Sequence, residues 1–368
     1  MSTATIIPVS TSADFEAAVA AANASQVATR IIMAPGVYQN LYINYDHFSS
    51  TLSIESASQS NPAVIEGMAV RSSSNISFSD IEFAGYNVGA ASVNDKMLYI
   101  SNSNVIQVKR SIFEGNATAL ANNATGNGVT DVNSTNIQVQ GSLFENVRQG
   151  VFNYGSTGVR LTHNTFQNIF DDGIDSLQVT NLVIDSNFFT NMHIDPTDTV
   201  HPDAIQLWTQ NATSDSKNID IEHNTYVRGS GGVAQGIFVT SQNSFGYQNV
   251  TVAHNAIEGA AYNGIWVDHA TGVSVTDNVV QPYAGQVSWM VYSNVSGTIA
   301  NNEVGYQLIS QGVNQVTTTG NTTLNPIAIP DVGSFVSLMA SINTAGSISP
   351  LSSTYTQPLI HPILIAAT

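Results

Sequence analysis

The chain has 368 residues, 42% of them hydrophobic and only 10% charged, with 26 acidic residues against 9 basic ones, a net charge of -17 and no cysteine. So apolar a chain is long enough to bury a large core and is not disordered, while its acidity disfavours nucleic acid and anionic membranes, which select clusters of Lys and Arg. Disulfides and thiolate chemistry are excluded outright.

The N-terminus "MSTATIIPVS" has no basic n-region followed by an apolar run, and no segment of the chain approaches ~18 consecutive apolar residues, so neither a signal peptide nor a membrane span is expected. Next, "TSADFEAAVAAAN" (11–23) predicts an Ala-rich helix with Thr11 or Ser12 as N-cap, covering the open end of whatever core follows. From there the chain repeats itself. Loose copies, "NISFSDIEF" (75–83) and "NIQVQGSLF" (136–144), precede a regular series: "GVRLTHNTF" (158–166), "NLVIDSNFF" (181–189), "NIDIEHNTY" (218–226), "NVTVAHNAI" (249–257), "GVSVTDNVV" (272–280) and "SGTIANNEV" (296–304). Each is a period-2 strand ending in an Asn turn, at Asn164, Asn187, Asn224, Asn255, Asn278 and Asn302. A second strand follows, in "GVFNY" (150–154), "GIDSL" (173–177), "AIQLW" (204–208), "GIFVT" (236–240) and "GIWVD" (264–268).

Two or three short strands in a coil of about 23 residues is the signature of stacked coils that pair only with their neighbours. Ile174, Ile205, Ile237 and Ile265 would form an internal ladder, and the turn Asn residues would tolerate αL and bond the Asn above. The expected fold is all-β: a single-stranded right-handed parallel β-helix of roughly ten coils, with an N-terminal capping helix. Residues 1–38 form the cap and first strand and 39–325 the β-helix; 326–368, where the periodicity dissolves, form a C-terminal cap or oligomer contact.

If the Ile ladder points inward, alternation sends Asp175, Gln206, Phe238 and Trp266 outward in one column and Trp208, Thr240 and Asp268 in its neighbour. Aromatic faces beside carboxylates and amides suit sugar rings and hydroxyls, so Trp208, Gln206, Phe238, Trp266 and Asp268 are the candidate substrate-binding residues. The competing reading is an ordinary sheet surface with scattered aromatics. The longest step between turns, Asn187 to Asn224, coincides with "NMHIDPTDTVHP", an insertion just before "DAIQLW". There His193 and Asp195, and again His201 and Asp203, fall on one side of an extended chain, as acid/base or metal-binding pairs would. His193, Asp195 and Asp198 are the candidate metal ligands, with turn closure around Pro196 and Pro202 as the alternative. Asp172 precedes "GI" as Asp203 precedes "AI", which predicts adjacent carboxylates on neighbouring coils, one with a raised pKa. Asp172, Asp203, His201 and Asp175 are therefore the candidate catalytic residues.

Coil length, the Asn ladder and the opening of a helix followed by "IIMAPGVY" resemble the right-handed parallel β-helix, pectate-lyase-like superfamily over roughly residues 1 to 325. That resemblance implies a polysaccharide partner acted on by a glycoside hydrolase, a polysaccharide lyase or a C5-epimerase, or else a tailspike or adhesin that binds without turnover. It also implies an extracellular, cell-surface or virion-associated setting, and for tailspike-like members a homotrimer. "DDGIDS" resembles the "NTDGID" segment of polygalacturonase-type hydrolases, which implies an acid/base role for Asp172 and matches Asp203 to an aspartate of their "DD" element; their "GHG" and "RIK" elements have no counterpart here. Hydrolysis by the Asp pair, needing no cofactor, is the favoured expectation. Lyase or epimerase chemistry on an anionic sugar would call for Ca²⁺ held by Asp, since basic residues on the later coils are few.

Overall fold

The short period-2 strands pair in parallel, each with its own copy one coil further on. The computed structural model describes residues 4–84, 95–115, 126–193 and 201–328, and across them the chain winds as a right-handed parallel β-helix. One face is a sheet of thirteen strands, from Thr5–Val9 to Gln315–Thr319. A second face runs from Gly36–Asn44 through Ile174–Leu177 and Asp203–Trp208 to Gln307–Gln311, and a third from Glu82–Ala84 to Thr322–Thr323. The stack is thus longer than the roughly ten coils expected, because its first coils carry Ser where the later ones carry Asn.

Helix α1 spans Ser12–Ser25, and the Thr11 side chain caps it by accepting the Asp14 N–H at 3.1 Å. Its buried stripe of Phe15, Ala18, Val19 and Ala22 lies on the first coils, closing the open end as expected. The strand Thr5–Val9 precedes the helix and pairs with Thr29–Met33, so the cap is itself part of the stack. Of the expected C-terminal segment 326–368, everything beyond residue 328 lies outside the described residues. Among the described residues no helix is long and apolar enough to cross a membrane.

The expected Ile ladder is present: Ile174, Ile205, Ile237 and Ile265 are register partners and fully buried. On the third face a ladder absent from the sequence reading stacks Phe83, Phe113, Phe144, Phe166 and Phe189 with ring centroids 4.5–4.8 Å apart and nearly parallel planes. It explains the glycine of the "GI" motif, since a Cβ on Gly173 would meet the Ala204 carbonyl at 2.6 Å and the Phe189 ring at 2.7 Å.

The Asn ladder forms, with one correction. Asn224 Oδ1 accepts both the backbone N–H and the side-chain Nδ2 of Asn187 at 3.0 Å, and the pattern continues through Asn255, Asn278 and Asn302 to Asn321. Toward the N-terminus Ser111 and Ser142 take over the same task. The left-handed residue, however, is the one before each ladder Asn, for example His163, His223 and His254. The Asn itself must keep a β-type backbone to present its amide to the coil beneath. Asn224→Ala would orphan a buried N–H of Asn187 and the carbonyl of Ile184, and should lower stability by about 1–3 kcal/mol in chemical denaturation.

Candidate active site

Two adjacent strands on the second face, Ile174–Leu177 and Asp203–Trp208, carry the candidate residues. Their register places Asp175 beside Gln206, then Phe238 and Trp266, the outward column expected from alternation. Asp172, just ahead of its strand, lies next to Asp203: Gly173 N–H bonds the Asp203 carbonyl, and Asp203 N–H donates to Asp172 Oδ1 at 3.0 Å. The structure therefore brings Asp172, Asp175, Asp203 and His201 together.

Their surroundings differ sharply. Asp172, Asp175 and Asp203 are buried, whereas the His201 side chain is 58% exposed. Asp203 Oδ2 accepts Gln206 Nε2 at 2.7 Å and lies 3.2 Å from His201 Nδ1. Gln235 Nε2 lies 3.1 Å from the same nitrogen, so the imidazole has two states: Nδ1–H donates to Asp203, while bare Nδ1 accepts from Gln235. Burial pushes the Asp203 carboxyl up to about 6, against the pull of His201 and Gln206. The hydrogen bond to Asp203 in turn raises His201, with burial opposing. Asp172 is pushed well up by burial and then by the neighbouring charges of Asp171, Asp203 and Asp175. Asp175 is raised by burial too, against the Trp208 indole N–H. His201 is the cluster's contact with solvent.

Around it runs a ribbon of amides. Asn127 Nδ2 donates to Gln149 Oε1 at 3.0 Å, and Gln149 Nε2 to Asp175 Oδ2 at 3.3 Å; on the far side Asn263 bonds Gln235 and Trp289 bonds Asn263. Beside the ribbon a cavity of ≈ 440 Å³ is lined by Val132, Phe152, Tyr154, Leu177, Trp208, Gln210 and Asn211. Phe152 and Tyr154 escaped the sequence reading although in "GVFNY" they hold the positions of Asp175 and Leu177 one coil on. Trp208 and Trp266 do not face one another: a coil intervenes and they lie in different columns. Phe238 lies edge-on to both His201 and Trp266. Thr240 is buried, and Asp268 is paired with His269 at 2.6 Å. Of the candidate metal ligands, Asp195 and Asp198 lie outside the described residues, and His193 rests its ring on Phe170 at 4.4 Å.

A family model described as periplasmic copper-binding protein (NosD) matches residues 88–281, more than half of the chain. The chain belongs to the NosD family. No curated protein matches it in sequence. Solved structures similar to it include the Dettilon tailspike protein (12% identity, 83% of this chain and 64% of that one, TM-score 0.55). Also similar are the A-module of a mannuronan C-5 epimerase from Azotobacter vinelandii (15%, 87% and 95%, 0.51) and a family 28 exopolygalacturonase from Yersinia enterocolitica (11%, 88% and 78%, 0.51). At such identities the likeness is one of fold. Among the described residues, the donors do not match the copper of the family's description. This NosD-family chain has no Cys, and among the described residues no three His, Asp or Glu side chains converge on a metal position. The His223 and His254 rings stack 5.2 Å apart at 12°, and His223 Nδ1 is hydrogen-bonded to Asp185 at 2.9 Å.

Proposed function

We propose that the protein processes a polysaccharide laid along the second face, with His201 as the proton-transfer group and Asp203 as the residue that orients it. The observation that carries this reading is the contrast in exposure: one imidazole reaches solvent, hydrogen-bonded to a fully buried carboxylate, in the middle of a strip of aromatic and amide side chains. Asp203 holds Nδ1 and stabilises the imidazolium, which leaves Nε2 to take or give a proton. Hydrolysis by a pair of carboxyl groups requires the substrate between them, roughly 5–9.5 Å apart. Asp172 instead receives the backbone N–H of Asp203 and both are buried, so this arrangement favours single-base chemistry, the removal of a proton beside a sugar carboxylate, over the two-carboxyl hydrolysis expected from the sequence. Trp208, in the cavity wall next to Asp175, would hold the sugar ring; Trp208→Ala should raise KM severalfold with little change in kcat, since it removes ground-state and transition-state binding alike.

A polysaccharide panel followed for both reducing ends and the absorbance of unsaturated uronates tests the reading. Unsaturated ends support proton abstraction, and reducing ends alone restore hydrolysis. Binding without either product, and without inversion at C5 by NMR, would favour the second reading, a carbohydrate-binding surface protein, to which the burial of all three aspartates also points.

A further inference from the structure

Followed toward the N-terminus, the columns that hold the candidate site do not end at Phe152 and Tyr154. The aromatic column continues from Phe152 through Thr130 to Tyr99, Ala69 and Tyr42, and the column lining the cavity continues from Tyr154 through Val132 and Ser101 to Arg71. Lys96 is the register partner of Asn127, the first amide of the polar ribbon. One surface thus carries two cations at one end and the His201 centre at the other, four to five coils away, or ~19–24 Å at the ~4.8 Å spacing of paired strands.

The setting of Arg71 is unlike that of three other arginines. Arg30, Arg110 and Arg148 are each within 2.9 Å of a carboxylate. The Arg71 guanidinium is exposed and, among the described residues, forms no ion pair; it lies over two rings, 5.7 Å from Tyr42 and 5.5 Å from Tyr99, and Lys96 Nζ lies 5.9 Å from the Tyr99 ring. Cation–π attraction to two rings holds the guanidinium on this face while its five N–H donors remain able to take a carboxylate or sulfate. Tyrosine faces next to it suit a sugar ring. A protein of net charge -17 repels acidic polymers over most of its surface, so an exposed Arg71 on the groove face has a selective effect that the same residue on a basic protein would lack.

We infer that Arg71, Lys96, Tyr42 and Tyr99 form a distal subsite for an acidic polysaccharide, gripping a charged sugar several units away from the one at His201. The inference rests on the proposed function only in placing the polymer along this face. It is tested with the full chain by calorimetry and affinity electrophoresis against carboxylated polymers (polygalacturonate, alginate), a sulfated one (dextran sulfate), neutral dextran and single-stranded DNA. Tight binding of the acidic polysaccharides, weakened about tenfold by Arg71→Ala and less by Arg71→Lys, with a shallower salt dependence, is the expected result. Lys96→Ala and Tyr42→Ala should weaken the same ligands, and unchanged melting would show each variant folded. The carboxylated and sulfated arms identify the anion. Equal binding of neutral dextran, indifference to Arg71→Ala, or stronger Arg71-dependent binding of DNA would each overturn the inference. Arg71-dependent binding by a His201→Gln variant separates the two claims, because the subsite then stands even where no turnover is found.

Discussion

Replacing His201 by Gln should lower turnover of the polymer by about 10²–10⁴-fold, the usual worth of a positioned acid or base, while binding and melting stay near those of the parent. Gln preserves the size of the side chain and an N–H to offer Asp203, so loss of the titrating nitrogen is the main change. The pH profile gives the sharper evidence. A base must be neutral, and the hydrogen bond to Asp203 raises the His201 pKa, so activity should climb as pH passes upward through a value above that of free histidine. Asp203→Asn removes both the hydrogen-bonded carboxylate and its charge. The rising limb should then move to lower pH while the maximum rate falls, because the imidazolium has lost its stabilising partner. A profile that does not move, or a His201→Gln enzyme with full turnover on a polymer that the parent degrades, would remove His201 from the chemistry.

What the chain reveals before folding follows how each feature repeats. The Ile and Asn ladders were legible because one side-chain type returns at one phase of every regular coil, and Asp172 could be set beside Asp203 because each precedes the same dipeptide. The phenylalanine ladder lies partly in the looser early copies, where Phe83 and Phe113 are separated from the regular series by longer coils. Burial was not legible at all. Asp175 and Gln206 do point away from the core, as alternation requires, yet Gln149 and Trp208 from the flanking coils close over Asp175, and the Gln206 amide is turned onto Asp203. Exposure in a β-helix depends on what the neighbouring coils carry, and period-2 reasoning sees one strand at a time. For the same reason the cationic end of the groove was missed: Tyr42, Arg71 and Tyr99 come from long first coils whose spacing breaks the pattern, and only the pairing register brings them into line.

Asp131→Asn should stabilise the protein by about 3 kcal/mol at pH 8 and by almost nothing near pH 4, in urea or guanidinium denaturation at the two pH values. Asp131 sits in an inward column between Ile100 and Asn153, fully buried, and neither of its carboxyl oxygens has a well-formed hydrogen bond. Burial pushes its pKa up to about 6, although the hydroxyls of Ser156 and Ser134 and the Val132 N–H favour the charged form. An acid whose pKa is higher in the folded state binds more protons there than when unfolded, so stability falls as pH rises from about 4, the unfolded value, to about 6, and is level above. Roughly two pKa units at 1.36 kcal/mol each give the expected gain on removing the charge. Asparagine fits for a second reason: its neighbour in register, Asn153, donates Nδ2 to Ser176 Oγ at 3.1 Å but leaves its own Oδ1 without a partner. An amide at position 131 would offer the missing donor and extend an Asn–Asn contact of the kind the turn ladder already uses. Asp172 and Asp175 also carry raised pKa values, so the variant keeps part of the pH dependence, and the difference between the two proteins isolates Asp131. If the variant proves no more stable at pH 8, the carboxylate has a partner that these contacts do not include, and the uncompensated core charge is ruled out.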